Sequence, residues 1–189
     1  MAYRKLNNIK HKIEQATIKI GAKNGIHAVS ARDVAAECDI STHTIYTNFP
    51  SMENLIDFIA DRFERRHMNE AVKLSDQGVS LGEMFDEVLD GFIKDKRETL
   101  YFSSYINEKK GVPMKDNPRD GEYLSLARKI LKNDELSDEA VLFVWNYVVS
   151  VLFFYAQKII KKFIPNSETT RKEIKKLVFE GLNAIIKYK

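Results

Sequence analysis

Cysteine, proline and glycine are scarce in this sequence, and each shortage narrows the possible structures. Cys38 is the one cysteine among 189 residues, so no disulfide can form within the chain. Four prolines and eight glycines leave little material for long disordered segments, and this composition favours long helices. At this length the chain can bury a substantial core, either as one large domain or as two small ones.

Long apolar segments are also missing. The most apolar run, residues 141–156, is about 16 residues long and contains Asn146 and Ser150, whereas a membrane-spanning helix needs roughly 20 residues. The first residues, MAYRKLNNIKHK, have no apolar core like that of a secretion signal. We therefore expect a cytoplasmic protein in which the apolar run is a buried helix.

Recognisable catalytic motifs are missing too. The sequence has no glycine-rich phosphate loop, and no serine or cysteine has the context of a known nucleophile. The four histidines do not have a spacing typical of metal ligands: they are His11, His27, His43 and His67. We therefore predict a protein that is not an enzyme and that needs no cofactor or metal.

Positive charge is concentrated at the N-terminal end of the chain. Residues 1–50 contain seven lysines and arginines and four acidic residues, whereas the remaining chain contains 23 of each kind. The net charge of +3 therefore belongs to residues 1–50. This distribution favours a polyanionic partner at that end, although an ordinary solvated helix surface would explain the charge equally well by itself.

Helical periodicity, by contrast, is abundant. Ile9, Ile13, Ala16 and Ile20 recur at three- and four-residue steps and predict a first helix that ends at Asn24. Similar patterns, with serine caps and glycine or proline breaks, predict helices at about residues 30–38, 42–49, 51–74, 81–93, 98–110, 123–132, 138–163 and 168–187. No segment has a convincing strand period, so we predict an all-α fold.

Residues 30–55 contain the most informative motif. Two short helices are separated by a three-residue turn, in which Asp39 tolerates a left-handed backbone and Ser41 caps the next helix. This arrangement is a helix-turn-helix, whose second helix is free to enter the major groove of DNA. The small and apolar residues expected to fix the angle between the helices are Val34, Ala35, Cys38, Ile40, Ile45 and Phe49.

This segment resembles the tetracycline-repressor (TetR) family. The matching residues are Val34, Ala35, Ile40, Ser41, Thr44, Ile45, Tyr46, Phe49, Ser51, Glu53 and Leu55. The resemblance covers about residues 9–60 and implies about nine helices. It also implies a DNA-binding domain at residues 1–50 and a ligand-binding and dimerisation domain at residues 51–189, in which residues 51–74 form the connecting helix.

The resemblance places the main DNA contacts on the third helix. We expect Tyr46 to contact a phosphate, and Thr42, His43 and Thr47 to face base edges. The full set predicted to bind DNA is Ser30, Arg32, Thr42, His43, Thr44, Tyr46, Thr47, Asn48, Lys5 and Lys10. A merely solvated helix would also carry threonine and asparagine, but it would usually include charged residues as well. Met52 stands where the family often has a phosphate-contacting lysine, so one common anchor is missing.

Aromatic residues are frequent between residues 81 and 155, which suits an apolar cavity with one or two hydrogen bonds to a ligand. The residues predicted to bind a small, largely apolar effector are Phe85, Phe92, Tyr101, Tyr105, Tyr123, Asn146 and Tyr147. A packed core without a cavity explains the same aromatic residues, and the sequence leaves both interpretations open.

The helix predicted at residues 138–163 is apolar on more than one side, which the surface of a monomer would not tolerate. The resemblance implies that two C-terminal helices of each subunit form a four-helix bundle in a homodimer. The residues predicted for this interface are Val144, Val148, Val151, Tyr155, Val178, Leu182 and Ile185. The dimer would present two recognition helices to a palindromic operator, roughly 34–36 Å apart.

Together these expectations describe a regulator of transcription, most simply a repressor that an effector releases from its operator. The helix predicted at residues 51–74 would transmit the change. Because the motif concerns only DNA contact, activation is also compatible with the sequence. The alternative is a dimeric helical adaptor that uses its N-terminal helices for protein contact.

Overall fold

The computed structural model of the chain describes the backbone of residues 2–109, 120–131 and 135–187, and the side chains of residues 8–108, 121–131 and 135–184. These residues form nine α-helices and no β-strand, so the predicted fold class is confirmed. The helices are α1 (Ala2–Asn24), α2 (Ala31–Cys38), α3 (Thr42–Asn48), α4 (Met52–Asp76), α5 (Leu81–Lys94), α6 (Lys96–Lys109), α7 (Asp120–Leu131), α8 (Asp138–Ile160) and α9 (Glu168–Lys187). A short 3₁₀ helix, Ile26–Ala28, joins α1 to α2.

Serine caps explain where several helices begin. The hydroxyl oxygens of Ser30, Ser41, Ser80 and Ser137 each accept a hydrogen bond from the backbone N–H three residues later. At α5 the cap is reciprocal, because the Glu83 carboxylate accepts the backbone N–H of Ser80 at 3.1 Å. The predicted starts of α2, α3, α5 and α8 are therefore confirmed.

Several local features differ from the sequence prediction, and α7, for example, begins at Asp120 rather than at residue 123. Helix α1 begins at Ala2, before Ile9, the first residue of its apolar pattern. Helix α8 ends at Ile160 rather than at residue 163, since Lys162 has a left-handed φ of 60°. The 3₁₀ helix follows Gly25, whose φ of 90° suits only glycine, and it left no periodic signal because it is three residues long.

The helices pack as two compact units. The first contains the chain up to Arg65 together with α6, and the second contains residues 66–95 together with α7, α8 and α9. Helix α4 therefore contributes residues to both units. The functional division expected at residue 50 stays a prediction, because packing alone does not test it.

Tyr101 fixes α6 in the core of the first unit. Its ring is fully buried in a cluster that also contains residues of α1, α2, α3 and α4. Burial raises the pKa of the Tyr101 hydroxyl far above its usual value, so the hydroxyl stays protonated and donates to the carbonyl oxygen of Ile56 at 3.2 Å. A Cβ atom on Gly21 would lie 2.5 Å from the Tyr101 ring, so α1 and α6 approach this closely only because residue 21 has no side chain.

The second unit is organised around α8, which packs against α5, α7 and α9. The buried residues of α8 are Val141, Val144, Leu152, Phe153, Ala156, Ile159 and Ile160. Tyr147 marks the crossing of α8 and α9, because its hydroxyl donates to the carbonyl oxygen of Leu177 at 3.1 Å and occupies the space beside Gly181. Ion pairs between α9 and α5 are Arg171–Asp90 and Lys175–Asp86, each at 2.5 Å.

Helix α8 is longer than the apolar run in the sequence suggests. Within the described part of the chain it is the one helix long and apolar enough to cross a membrane by length and composition. A core helix of a soluble protein meets the same criterion, and one side of α8 is buried against the other helices of its unit. Phe143 and Phe154 of α8 are exposed, and their role is considered below.

The close approach of α1 and α6 gives a test of the packing. We expect Gly21→Ala to lower the free energy of unfolding by about 1–3 kcal/mol, because the added methyl group would overlap the buried Tyr101 ring. Gly82→Ala is the matched control, since a Cβ atom on Gly82 of α5 would meet nothing within 4 Å. It should leave stability unchanged or raise it by up to about 1 kcal/mol. Urea unfolding followed by circular dichroism measures both, and equal effects would contradict the described packing.

Candidate nucleic-acid interface

The turn between α2 and α3 forms as the sequence predicts. Asp39 adopts the left-handed conformation, with φ of 53° and ψ of 52°. The backbone N–H of Ile40 then donates to the carbonyl oxygen of Ala35 at 3.0 Å, which closes the end of α2. The Ser41 hydroxyl oxygen accepts the N–H of Thr44 at 3.2 Å, so α3 begins immediately after the turn.

A small core fixes the angle between the two helices. Val34, Ile45 and Phe49 are buried, and Ile40 and Cys38 are half-buried against the same cluster. The Cys38 thiol donates to the carbonyl oxygen of Lys12 at 3.4 Å. Burial, together with the neighbouring Glu37 carboxylate, raises the pKa of the Cys38 thiol, which favours a packing role over a reactive thiolate.

One side of α3 is exposed and carries no charged residue. Thr42, His43, Tyr46 and Thr47 lie on this side, and Tyr46 keeps 49% of its surface exposed. Their one- and four-residue spacing makes them a continuous strip, which we call the recognition strip. The strip offers hydroxyl and imidazole groups that can donate or accept hydrogen bonds with base edges or phosphates.

Three predicted DNA-binding residues of α3 have side-chain hydrogen bonds at or within the helix. The hydroxyl of the exposed Thr47 donates to the carbonyl oxygen of His43 at 2.9 Å. Thr44 is half-buried, and its hydroxyl shares a 2.9 Å hydrogen bond with that of Ser41. The amide of the half-buried Asn48 donates to the carbonyl oxygen of Thr44 at 2.8 Å. Thr44 and Asn48 therefore shape the ends of α3 more than they extend its exposed surface.

Lys10 of α1 lies beside the C-terminal end of α3. Its ammonium nitrogen is 5.0 Å from the ring centroid of Phe49 and 4.7 Å from that of Phe58. Cation–π attraction to two rings limits the freedom of this long side chain. The structure thus holds one of the predicted DNA-binding cations next to the recognition helix.

The two residues at the start of α2 that are predicted to contact DNA differ in how available their side chains are. Arg32 is exposed, whereas the Ser30 hydroxyl donates to the Asp33 carboxylate and accepts the N–H of Asp33. A phosphate near Ser30 would meet that carboxylate, so Arg32 is the better phosphate ligand of the two. The side chain of Lys5 lies outside the described residues.

Residues 13–58 match the model of the tetR family of bacterial regulatory proteins. This part of the chain, 46 of the 189 residues, therefore carries the helix-turn-helix segment of that family. Its members are regulators of transcription rather than enzymes, and the match covers the helix-turn-helix described above. The comparison with curated proteins gave no match.

The fold of the whole chain is that of solved TetR-family structures. A TetR-family transcription regulator from Marinobacter aquaeolei shares 12% identity at a TM-score of 0.71, over 95% of this chain and 97% of that one. A TetR-family member from Streptomyces coelicolor shares 19% identity at a TM-score of 0.63, over 90% and 97%. The multidrug binding protein EbrR, solved with malachite green, shares 16% identity at a TM-score of 0.53, over 82% and 98%. At these identities the likeness establishes the fold alone.

The structure separates the aromatic residues that the sequence predicts for one ligand site. Phe85, Phe92 and Tyr123 are buried in the second unit, whereas Tyr101 and Tyr105 belong to the first. Tyr101 is committed to the core of the first unit, so we no longer assign it to a ligand site. Burial, followed by the nearby Asp57 carboxylate, raises the pKa of Tyr105 to about 12, and its ring stacks on Phe102 at 6.0 Å.

The polar residues predicted for the ligand site also have local roles. The Asn146 amide donates to the carbonyl oxygen of Leu142 at 2.7 Å, and Asn146 is half-buried. Tyr147 belongs to the crossing of α8 and α9 beside Gly181. Of the two, Asn146 stays a candidate for ligand contact, and Tyr147 is a packing residue.

Phe92 and Tyr123 each pack against a residue of α4. The His67 ring is 4.7 Å from that of Phe92, whose edge meets Phe153 at 5.4 Å. Tyr123 is buried with Met68. No packing role was predicted for His67 from the sequence, although His67 continues the four-residue spacing of the buried Leu55, Ile59 and Phe63 of α4.

The predicted dimer residues need a correction as well. Val144, Val178 and Leu182 are buried within the protomer, at 0%, 1% and 6% exposure, so they cannot contribute much surface to a partner. Val148, Val151 and Tyr155 are half-buried, and the side chain of Ile185 lies outside the described residues. The large exposed apolar residues of α8 and α9 are instead Phe143, Phe154 and Leu177.

The half-buried His67 makes stability depend on pH. Burial, reinforced by the Arg66 charge, lowers the pKa of His67 to about 4, despite the opposing effect of Asp95. The unfolded chain takes up a proton below about pH 6.5, whereas the folded chain does so only near pH 4. Acidification between these values should therefore cost roughly 2 kcal/mol of stability, and the stability should return as the pH rises.

We expect His67→Gln and His67→Phe to flatten this pH dependence, because neither side chain titrates. Urea unfolding at several pH values between 4.5 and 7 measures the effect. Since His67→Phe also preserves a ring beside Phe92, the two variants separate titration from packing. If the free energy of unfolding of both variants falls with pH as steeply as that of the wild type, other groups cause the pH dependence.

Proposed function

We propose that this TetR-family protein is a transcriptional repressor that binds a palindromic operator as a homodimer and is released by a small molecule. The observation that supports DNA binding most directly is the recognition strip. It presents hydrogen-bonding side chains on a short exposed helix with no carboxylate that would repel phosphates. The Thr42, His43 and Thr47 side chains are assigned to base edges, and Tyr46 to a phosphate.

Cations beside the strip supply attraction that does not depend on sequence. Lys10 is held at one end of α3, and Arg32 is exposed at the start of α2. Such contacts release counterions from DNA, so the affinity should fall steeply with salt. The affinity for DNA would then have a salt-sensitive contribution from Lys10 and Arg32 and a sequence-dependent contribution from the recognition strip.

Gel-shift titrations with DNA from upstream of the gene, at two salt concentrations, test the proposal. We expect steep salt dependence for the wild type, and about tenfold weaker binding for Tyr46→Ala, which removes an exposed phosphate contact. Phe163→Ala is the matched control, because it removes a ring that is 68% exposed in the second unit. Absent binding, or binding that ignores salt, would favour the protein adaptor instead.

The exposed apolar surface of α8 and α9 supports a homodimer. Phe143 and Phe154 are 61% and 52% exposed and lie three helical turns apart on one side of α8, with Ser150 between them. Leu177 of α9 is 50% exposed, and the Tyr147 hydroxyl bonds to its carbonyl oxygen, so the two helices present one continuous surface. We call this surface the α8–α9 face.

The α8–α9 face is more stable when a second copy of the chain covers it than when water does. Isolated exposed apolar side chains are common, but several large ones on two adjacent helices form a patch that soluble monomers rarely keep. Pairing two such faces by a twofold axis produces a four-helix bundle in which each patch covers the other. The half-buried Val148, Val151 and Tyr155 then flank the contact.

The double substitution Phe143→Glu with Phe154→Glu tests the dimer. We expect it to raise the dissociation constant at least about thirtyfold, because it places four carboxylates in a contact that loses its aromatic anchors. Light scattering coupled to gel filtration measures the change, and circular dichroism verifies that the helices are retained. Leu81→Glu is the control, since Leu81 is an exposed apolar residue of α5.

Three outcomes distinguish the possible roles of the α8–α9 face. A dimer that the double substitution splits supports the proposal. A wild-type monomer that sediments with membranes would assign the apolar surface of α8 to lipid. A wild-type dimer that survives the double substitution would place the interface elsewhere.

The effector is proposed to bind in the second unit, near Phe92, Tyr123 and Asn146. Buried aromatic rings with a few polar atoms suit a small, largely apolar molecule. EbrR, which has the same fold, was solved with the aromatic dye malachite green. Trp145, the one tryptophan in the sequence, packs against the cluster of Tyr123, so its fluorescence can report binding in a screen of compounds that release DNA.

A further inference from the structure

The Glu108 carboxylate, on α6, caps the turn between α1 and α2. Its two oxygens accept the backbone N–H groups of Ile26 at 3.2 Å and His27 at 2.8 Å. The Ser104 hydroxyl, one helical turn earlier, also accepts the N–H of Ile26 at 2.8 Å and donates to Glu108. The N–H groups at the start of the 3₁₀ helix are thus satisfied by side chains about 80 residues away in the sequence.

Nothing at the turn itself provides this cap. Gly25 precedes the 3₁₀ helix and offers no side-chain hydrogen bond. A Cβ atom at Gly25 would lie 2.6 Å from the His27 ring and 3.0 Å from a Glu108 oxygen, so the glycine also leaves room for the contact. The His27 ring nitrogen Nδ1 lies 3.2 Å from the same carboxylate. We call Glu108, Ser104 and the two N–H groups the α6 clasp.

The clasp lies at a point that controls the recognition helix. Ile26 is buried in the core that also contains Ile45 of α3 and Phe49, the residue after it. Moving the turn would therefore move the start of α2 and the core beneath α3. In the chain, α6 lies between α5 and α7, which both belong to the second unit.

We propose that Glu108 is a positioning residue for specific DNA binding, because its carboxylate holds the α1–α2 turn and so fixes the orientation of the recognition strip. This inference rests on the proposed DNA-binding function and adds a residue that does not touch DNA. It makes specific affinity depend on the placement of α6. Simple electrostatics gives the opposite expectation, since removing a negative charge from a DNA-binding unit should strengthen DNA binding.

The test compares two probes: a duplex that the wild type selects from random-sequence DNA, and poly(dI-dC). We expect Glu108→Ala to bind the selected duplex about tenfold more weakly, and poly(dI-dC) within about twofold of the wild type. Glu108→Gln should lose less, because it retains one acceptor oxygen and the length of the side chain. Fluorescence anisotropy at fixed salt measures all affinities.

Two control variants separate the clasp from other effects. Asn107→Ala changes an exposed neighbour on α6, and Glu87→Gln removes an exposed carboxylate of the second unit. Both should bind like the wild type. Amide exchange gives a readout without DNA, since the Ile26 and His27 amides should exchange about tenfold faster in Glu108→Ala while the rest of α1 is unchanged.

The outcomes distinguish failure of the clasp from failure of the proposed function. Unchanged or tighter binding of the selected duplex by Glu108→Ala would overturn the positioning role. An equal loss of affinity for both probes, in step with a loss of folded protein, would show that the clasp is an ordinary stabilising contact. That result would also overturn the positioning role. If the wild type selects no duplex from random-sequence DNA, the proposed DNA-binding function is wrong, and the positioning role that rests on it is wrong as well.

Discussion

The burial of Tyr101 of α6 against Gly21 of α1 is the contact on which the first unit, which contains the helix-turn-helix, depends. The ring fills the centre of a core that α3 also enters through Ile45 and Phe49. Because the interior of a protein is close-packed, the position of the ring and the position of α3 are not independent. The recognition helix is therefore held by a core that includes a helix from much later in the chain.

The exposed surfaces of the protein follow two different physical rules. Helix α3 exposes uncharged polar groups, which suits a partner whose bases offer hydrogen bonds and whose phosphates repel carboxylates. Helices α8 and α9 expose Phe143, Phe154 and Leu177, which suits a partner that removes apolar surface from water. Hydrogen-bond geometry can specify a DNA sequence, whereas apolar burial is better suited to permanent pairing of two copies.

Several structural features could be predicted because their causes are local. Ser30, Ser41 and Ser137 cap helices through bonds to residues only three positions away. The left-handed Asp39 and the cap at Ser41 define the turn of the helix-turn-helix by themselves. The exposed residues of α3 follow from the same short segment. Residues 30–48 alone therefore determine the boundaries of α2 and α3 and the composition of the recognition strip.

The sequence by itself determined the all-α class, the helix-turn-helix and the composition of its exposed helix, because capping and periodicity act over one or two turns. Only the tertiary structure decided that Tyr101 belongs to the DNA-binding core, that Val144 and Val178 are buried in the protomer, and that Glu108 reaches the turn at Ile26. An apolar side chain has the same sequence signal whether it faces its own core, a ligand or a second copy. Which of these it contacts depends on how distant helices pack, and periodicity carries no information about that.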